Sequence, residues 1–260
     1  MSRFVILMYH MISEPRVEGE CKYACPPPRF SAHIQYLWRK GYNLIGMDAV
    51  QRHLDGKEVL PPNSVALTLD DGYRDNYENA FPVIRQWKVP ATIFLATEFV
   101  GGTNEWMEAR GMPRREMLTW GQVQEMRTRG VDFGAHTVTH CRLDELSDEE
   151  AMREIGDSKK VLEARLGVDV GCFAYPYGRF SESTLGAVRR AGFRLACSTR
   201  SGFNRSDTEP LLLRRIEVFG TDPVWKLAQK ITFGTNDAGV FNPMRYYLQR
   251  LKEKVTRCGR

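Results

Sequence analysis

The chain reads as an α/β protein in which parallel strands are covered by helices. Two observations predict this class. Short apolar runs alternate with longer segments that carry helix caps. The polar residues best suited to chemistry follow directly after the apolar runs, and parallel strands deliver their carboxyl ends to one face. The 260 residues, 42% hydrophobic and 27% charged, are enough for one large core or two small ones. The pattern fits an open sheet or a barrel.

Phe4–Tyr9 opens the chain as a buried strand. Ser31 is placed to cap a short helix over Ala32–Lys40, ended by Gly41. Val65–Leu69 is the next strand, followed by a helix through Tyr77–Trp87 and a strand at Ala91–Ala96. Thr119-Trp-Gly-Gln122 has the form of a capping box and starts a helix that Gly130 ends. Val131–Ala135 is a strand. Ser147-Asp-Glu-Glu150 is a second capping box, opening a long helix to Leu166 with Gly167 after it. Cys172–Tyr175 is a strand, Ser181 caps another helix, and Arg194–Ser198 and Leu211–Val218 complete the strands. Neither a repeat nor a low-complexity linker divides the chain, so we expect one domain over 1–220 and a helical basic extension over 221–260.

Composition narrows the function. No apolar stretch approaches the roughly 18 residues of a membrane span, and Phe4–Met8 is too short for a signal-peptide core. A cytoplasmic protein is expected. Its six cysteines form no recognisable framework. The net charge of +5 is concentrated near the end, where Met244–Arg257 holds five basic residues and one acid. As a helix, this segment would put Tyr247, Leu248, Leu251 and Val255 near one face. That suits packing on the protein or peripheral contact with the inner membrane surface. No motif supports nucleic-acid binding.

The chemistry centres on adjacent carboxylates. Asp70 and Asp71 end the Val65–Leu69 run and precede Gly72. Like charges on neighbouring residues repel, and a bound cation would relieve the conflict. The plain alternative is an Asp-Gly turn. His136-Thr-Val-Thr-His140 places two imidazoles four residues apart, which on a helical turn share a face. Two imidazoles and one carboxylate suit Zn2+ or another borderline divalent ion such as Co2+ or Ni2+, with positions left for water and substrate. The second carboxylate, free but close, is placed to take a proton from activated water. His10 and Pro176-Tyr-Gly178 also follow predicted strands.

These segments resemble the polysaccharide deacetylase family, the NodB-homology or carbohydrate esterase family 4 enzymes. Thr68-Leu-Asp-Asp-Gly72 is similar to the first family motif, His136-Thr-Val-Thr-His140 to the second and Phe173-Ala-Tyr-Pro-Tyr-Gly178 to the third. The resemblance covers roughly residues 1–220. It implies a distorted (β/α)7 barrel of the NodB type. It also implies Asp70 as general base, Asp71, His136 and His140 as metal ligands, and the Tyr177 N–H as oxyanion donor.

Two departures stand out. The usual third motif carries an arginine that orients the base, and here Ala174 takes its place. Arg215 is similar to an arginine found near a later strand in members with the Phe-Ala-Tyr-Pro-Tyr-Gly form, with Arg214 as competitor. The usual late histidine is also missing, since none follows His140. His33 and His53 fall in helical segments expected to face outward. His10 resembles the N-terminal histidine of permuted deacetylases, which implies that it is the general acid.

The expected activity is metal-dependent removal of the N-acetyl group from an amino sugar in a polysaccharide or its precursor, lipid-linked precursors included. The partner is then an N-acetylated glycan, with Tyr73, Trp106 and Trp120 available to stack on sugar rings. The rival activities are deformylation of a lipid-linked formamido sugar and carbohydrate binding without catalysis.

Overall fold

A computed structural model describes residues 3–239. Eight strands form one sheet: β1 (Phe4–Tyr9), β2 (Asn43–Ile45), β3 (Ser64–Leu69), β4 (Ala91–Leu95), β5 (Val131–Ala135), β6 (Cys172–Ala174), β7 (Leu195–Cys197) and β8 (Ile216–Glu217). Seven run in the order β7-β6-β5-β4-β3-β1-β8, and β2 pairs with β3 off this path. All their pairings are parallel. The sheet curls until its two ends approach. There a single parallel bridge joins Cys197 and Leu213, and Arg215 N–H donates to the Arg200 carbonyl. This is the distorted barrel that the family resemblance implies.

Side-chain alternation divides the core. Phe4, Ile6, Ala66, Phe94, Ala174, Cys197 and Leu213 pack together in one buried cluster. Val5, Leu7, Tyr9, Val65, Leu67 and Leu69 belong to the larger cluster shared with helices α1 (Pro27–Arg39), α3 (Phe81–Trp87), α4 (Trp120–Thr128), α5 (Asp148–Leu166), α6 (Glu182–Arg190) and α7 (Val224–Phe233). The remaining helix, α2 (Met47–Leu54), contributes Met47 and Val50 to the first cluster. Both predicted capping boxes form, on Thr119 and Ser147, and each is worth about 1 kcal/mol. Ser181 caps α6 through Thr184 N–H.

Several expectations are corrected. Helix α1 starts at Pro27, not Ala32, because Pro27 and Pro28 supply a backbone already set for the first turn. The predicted Leu211–Val218 strand is broken into a 3-10 turn at Pro210–Leu212 and the two-residue β8. The predicted helix from Tyr77 opens with a π turn over Asn76–Ala80. His33 and His53 are buried, not outward-facing. His33 is held between the Tyr9 hydroxyl at 3.0 Å and the Asp222 carbonyl at 2.9 Å, and His53 meets the Glu58 carbonyl at 3.0 Å. Beyond residue 221, α7 sends Leu227 and Ile231 into the main core. The expected basic helix over Met244–Arg257 lies outside the described residues. Among the described residues no helix is long and apolar enough to cross a membrane.

Candidate active site

The strand ends converge on one cavity of about 340 Å³, lined by His10, Asp70, Asp71, His136, His140 and Tyr177 among others. Each enters from just beyond a strand. Ala66, Thr68 and Asp70 share one face of the extended chain by period two, so Asp70 continues the row that points into the barrel. The next residue turns sharply: Asp71 has φ 75° and Gly72 φ 84°. A Cβ on Gly72 would lie 2.4 Å from Leu95 Cδ2. The turn therefore needs glycine there, and it sends two adjacent carboxylates into different surroundings.

Asp70 meets a cation. Arg215 Nη1 and Nη2 donate to its two oxygens at 2.6 and 2.7 Å, with both side chains buried. Arg215 also reaches the Ser198 carbonyl through Nε and Thr68 Oγ1 through Nη1, so its donors are well satisfied. Burial opposes ionisation of Asp70, but the charges of Arg215 and the nearby histidines, together with the Arg215 hydrogen bonds, outweigh it and hold the carboxyl below its usual range. Arg214 faces elsewhere and donates to the Ser201 carbonyl. Ala174 packs in the barrel interior, as do Leu213 and Cys197.

Asp71 meets imidazoles instead. Its Oδ1 lies 3.4 Å from His136 Nε2 and 3.2 Å from His140 Nε2. His136 Nδ1 sits 2.7 Å from the Ala174 carbonyl, which can only accept, so Nδ1 carries the proton. In the neutral ring Nε2 then points a lone pair at Asp71 Oδ1, itself a buried atom without a hydrogen-bond donor. A lone pair facing a carboxylate oxygen in a buried site calls for a cation between them. His140 is oriented by the Tyr177 hydroxyl, 3.2 Å from its Nδ1. The three ligand atoms lie within 4.8 Å of one another. This donor set fits a divalent ion with open positions.

The histidine spacing is achieved without the expected helical turn. Residues 136–140 form a bend, with Thr137 at φ 68° and His140 at φ 55°. Glu154 on α5 holds it by accepting from Val138 N–H, Thr139 N–H and the Thr139 hydroxyl. Tyr177 is also left-handed, at φ 57°. Of six non-glycine residues with positive φ among the described residues, four (Asp71, Thr137, His140 and Tyr177) stand at this site. Such backbone strain concentrates where the surrounding structure over-determines a geometry.

His10 lies beside the cavity after β1, with the Tyr23 ring edge-on at 5.2 Å and its carbonyl accepting from Asn76 Nδ2 at 2.8 Å. Tyr73 and Trp106 line the cavity, and Trp106 stacks on His140 with ring centroids 4.8 Å apart. Trp120 is not among the lining residues and lies under Arg165 instead. Sequence reasoning missed Glu154, the Ala174 carbonyl and the stacked position of Trp106, because each acts through a contact across the fold.

Comparison with known proteins agrees with this geometry. The family model described as polysaccharide deacetylase matches residues 57–196. The chain is 25% identical over 205 residues to the poly-beta-1,6-N-acetyl-D-glucosamine N-deacetylase of Staphylococcus epidermidis, covering 75% of this chain and 68% of the relative. The structure of Streptococcus pyogenes deacetylase PplD in complex with acetate superposes with a TM-score of 0.77 at 28% identity, covering 88% of this chain and 98% of that one. IcaB from Ammonifex degensii gives a TM-score of 0.73 at 26% identity, covering 84% and 92%. With three motif segments gathered at one barrel mouth and the family model spanning all three, the chain belongs to the polysaccharide deacetylase family.

Proposed function

We propose that the protein is a metal-dependent hydrolase that removes the N-acetyl group from an amino sugar in a polysaccharide or its precursor. The observation that carries this reading is the unlike treatment of neighbouring carboxylates: Asp70 is neutralised by Arg215, and Asp71 faces two imidazole nitrogens. Asp71, His136 and His140 would hold the ion, with Zn2+ the best match to the donors. Bound there, such an ion would supply Lewis-acid polarisation of the acetyl carbonyl and a more acidic water.

Asp70 takes the proton of the attacking water, and Arg215 fixes its orientation and keeps it ionised. The Tyr177 N–H donates to the oxygen that gains negative charge. His10 gives a proton to the departing amine, so that acetate and a free amino sugar leave. Tyr73 and Trp106 offer aromatic surface to the sugar. The Staphylococcus epidermidis relative supports a β-linked N-acetylglucosamine polymer as one member of the substrate class. We also propose action in the cytoplasm or at the inner membrane surface, a reading supported by the basic segment Met244–Arg257 and tested by fractionation of native cells.

Acetate release from N-acetylated oligosaccharides, with and without chelator, tests the activity. Chelator-sensitive release that returns with added Zn2+ is expected. Release of formate alone from a formamido sugar would favour the deformylase, and neither product would favour a carbohydrate-binding protein.

A further inference from the structure

The mouth of the cavity carries unlike charge on different parts of its lining. One part presents Arg110, Arg142 and Arg179, all exposed. The guanidinium carbons of Arg110 and Arg142 each lie 5.6 Å from the centre of the Tyr177 ring. The hydroxyl of that ring is 3.2 Å from His140 Nδ1. Two cations therefore stand about one aromatic ring from a residue of the proposed ion site. Elsewhere in the lining, Lys22 is paired with Glu217 at 3.0 Å.

The arginines keep donors free. Arg142 is paired with Glu145 and Arg179 with Asp144, each through Nη1. Arg110 makes no ion pair among the described residues. Exposed ion pairs add little to stability, so folding gives scant reason to gather three guanidinium groups around one opening. Their planar forks match the oxygens of phosphate and carboxylate.

We propose that this rim binds an anionic group, a phosphate ester or a carboxylate, carried next to the acetamido sugar, so that the preferred substrate is an acidic glycan. The proposal rests on the deacetylase reading and narrows its substrate class. It has a consequence for the product. Deacetylation replaces a neutral amide by an ammonium group, and a sugar chain that already bears ammonium groups is repelled by the rim. Neighbouring sugars are then poor successive substrates unless acidic groups separate them.

The test compares four probes on metal-loaded wild-type protein: neutral chitotetraose, partially deacetylated chitotetraose, a glucuronate–N-acetylglucosamine tetrasaccharide, and a chito-oligosaccharide 1-phosphate. Acetate release gives kcat/KM, and calorimetry gives affinity for the same glycans. Acidic probes are expected to exceed neutral chitotetraose by about tenfold in kcat/KM, or in affinity, at low salt, with the gap narrowing as salt is added. The better acidic probe identifies phosphate or carboxylate as the preferred group. Replacing Arg110, Arg142 and Arg179 together by Gln should reduce the acidic-to-neutral ratio about fivefold or more, and replacing them by Lys should retain most of it. The single change Arg110→Gln, at an exposed residue, should move the ratio in the same direction. An acidic-to-neutral ratio near one, a preference for the ammonium-bearing probe, or a ratio untouched by the Gln variants would overturn the proposal. If no probe releases acetate, the deacetylase reading fails, and the calorimetric ratio still decides the preference for charge.

Discussion

Arg215 lays two nitrogens on the two oxygens of Asp70, and neither side chain is more than 3% exposed. A fork-to-fork pair of this kind fixes direction as well as charge, because the planar guanidinium accepts few orientations of the carboxylate. Removing one partner leaves the other buried without compensation, which costs about 3–5 kcal/mol. The same contact would hold Asp70 ionised and aimed at the reacting water.

Arg215→Met should therefore lower stability by about 3–5 kcal/mol and reduce turnover about 100-fold or more, with metal content retained where the protein folds. Arg215→Lys keeps the charge but loses the fork and should fall between the variant and wild type. Urea unfolding, metal analysis and acetate release on the same preparations check this.

The neighbouring carboxylates should separate cleanly. Asp71→Asn is expected to weaken metal binding about tenfold or more, whereas Asp70→Asn should retain the ion and lose turnover. Equal loss of metal in both variants would reject the division between them. Equilibrium dialysis against Zn2+ provides the measurement.

His10→Ala should leave metal affinity intact and lower kcat by about 100-fold or more. Substrates with a better leaving amine should recover part of that loss. Wild-type turnover in His10→Ala would remove His10 from the mechanism.

His33 should make the fold sensitive to acid. Burial outweighs the nearby Asp222 carbonyl and carboxylate, and with help from Arg29 and Lys230 depresses its pKa from 6.5 to about 4. Between those values the unfolded chain binds the proton and the folded chain does not. Stability therefore falls as pH drops from about 6.5 towards about 4, by on the order of 3 kcal/mol in all. Urea midpoints across this range should show the slope in wild type and a weaker one in His33→Gln.

Arg115→Met tests one wall of the cavity. Arg115 and Glu20 form a buried two-bond pair at 2.9 and 2.5 Å, tying residue 20 to the segment that carries Trp106. Loss of the arginine should cost about 3–5 kcal/mol and raise KM more than it lowers kcat, as read from thermal unfolding and initial rates.

Much of this architecture was legible in local residue patterns. Apolar runs marked β1, β3, β4 and β5, and the Thr119 and Ser147 boxes marked the starts of α4 and α5. β2 escaped because it has only three residues, none buried. The burial of His33 and His53 was illegible because the Tyr9 hydroxyl and Asp222 carbonyl that meet His33, and the Glu58 carbonyl that meets His53, are brought to them only once the chain folds. The motif residues meet in one cavity, and the absence of arginine at position 174 directed attention to Arg215. The bend of residues 136–140 was not legible, since Glu154 on another element sets it. Nothing in the spacing distinguished a left-handed loop from a helical turn.

The placement of β1 between β3 and β8 has a consequence for how reactivity can be retuned. The segment 57–196 contains the three proposed ion ligands and the proposed base Asp70, whereas His10 and Arg215 lie outside it on opposite flanks. The proposed ion site and base thus share one stretch of the chain, whereas the proposed leaving-group acid and the arginine that orients the base come from two others. Substitutions in the flanks can alter acidity and leaving-group preference while every ligand stays untouched. Two relatives that agree throughout the middle of the chain can accordingly bind the same ion and still differ in which amide they cleave.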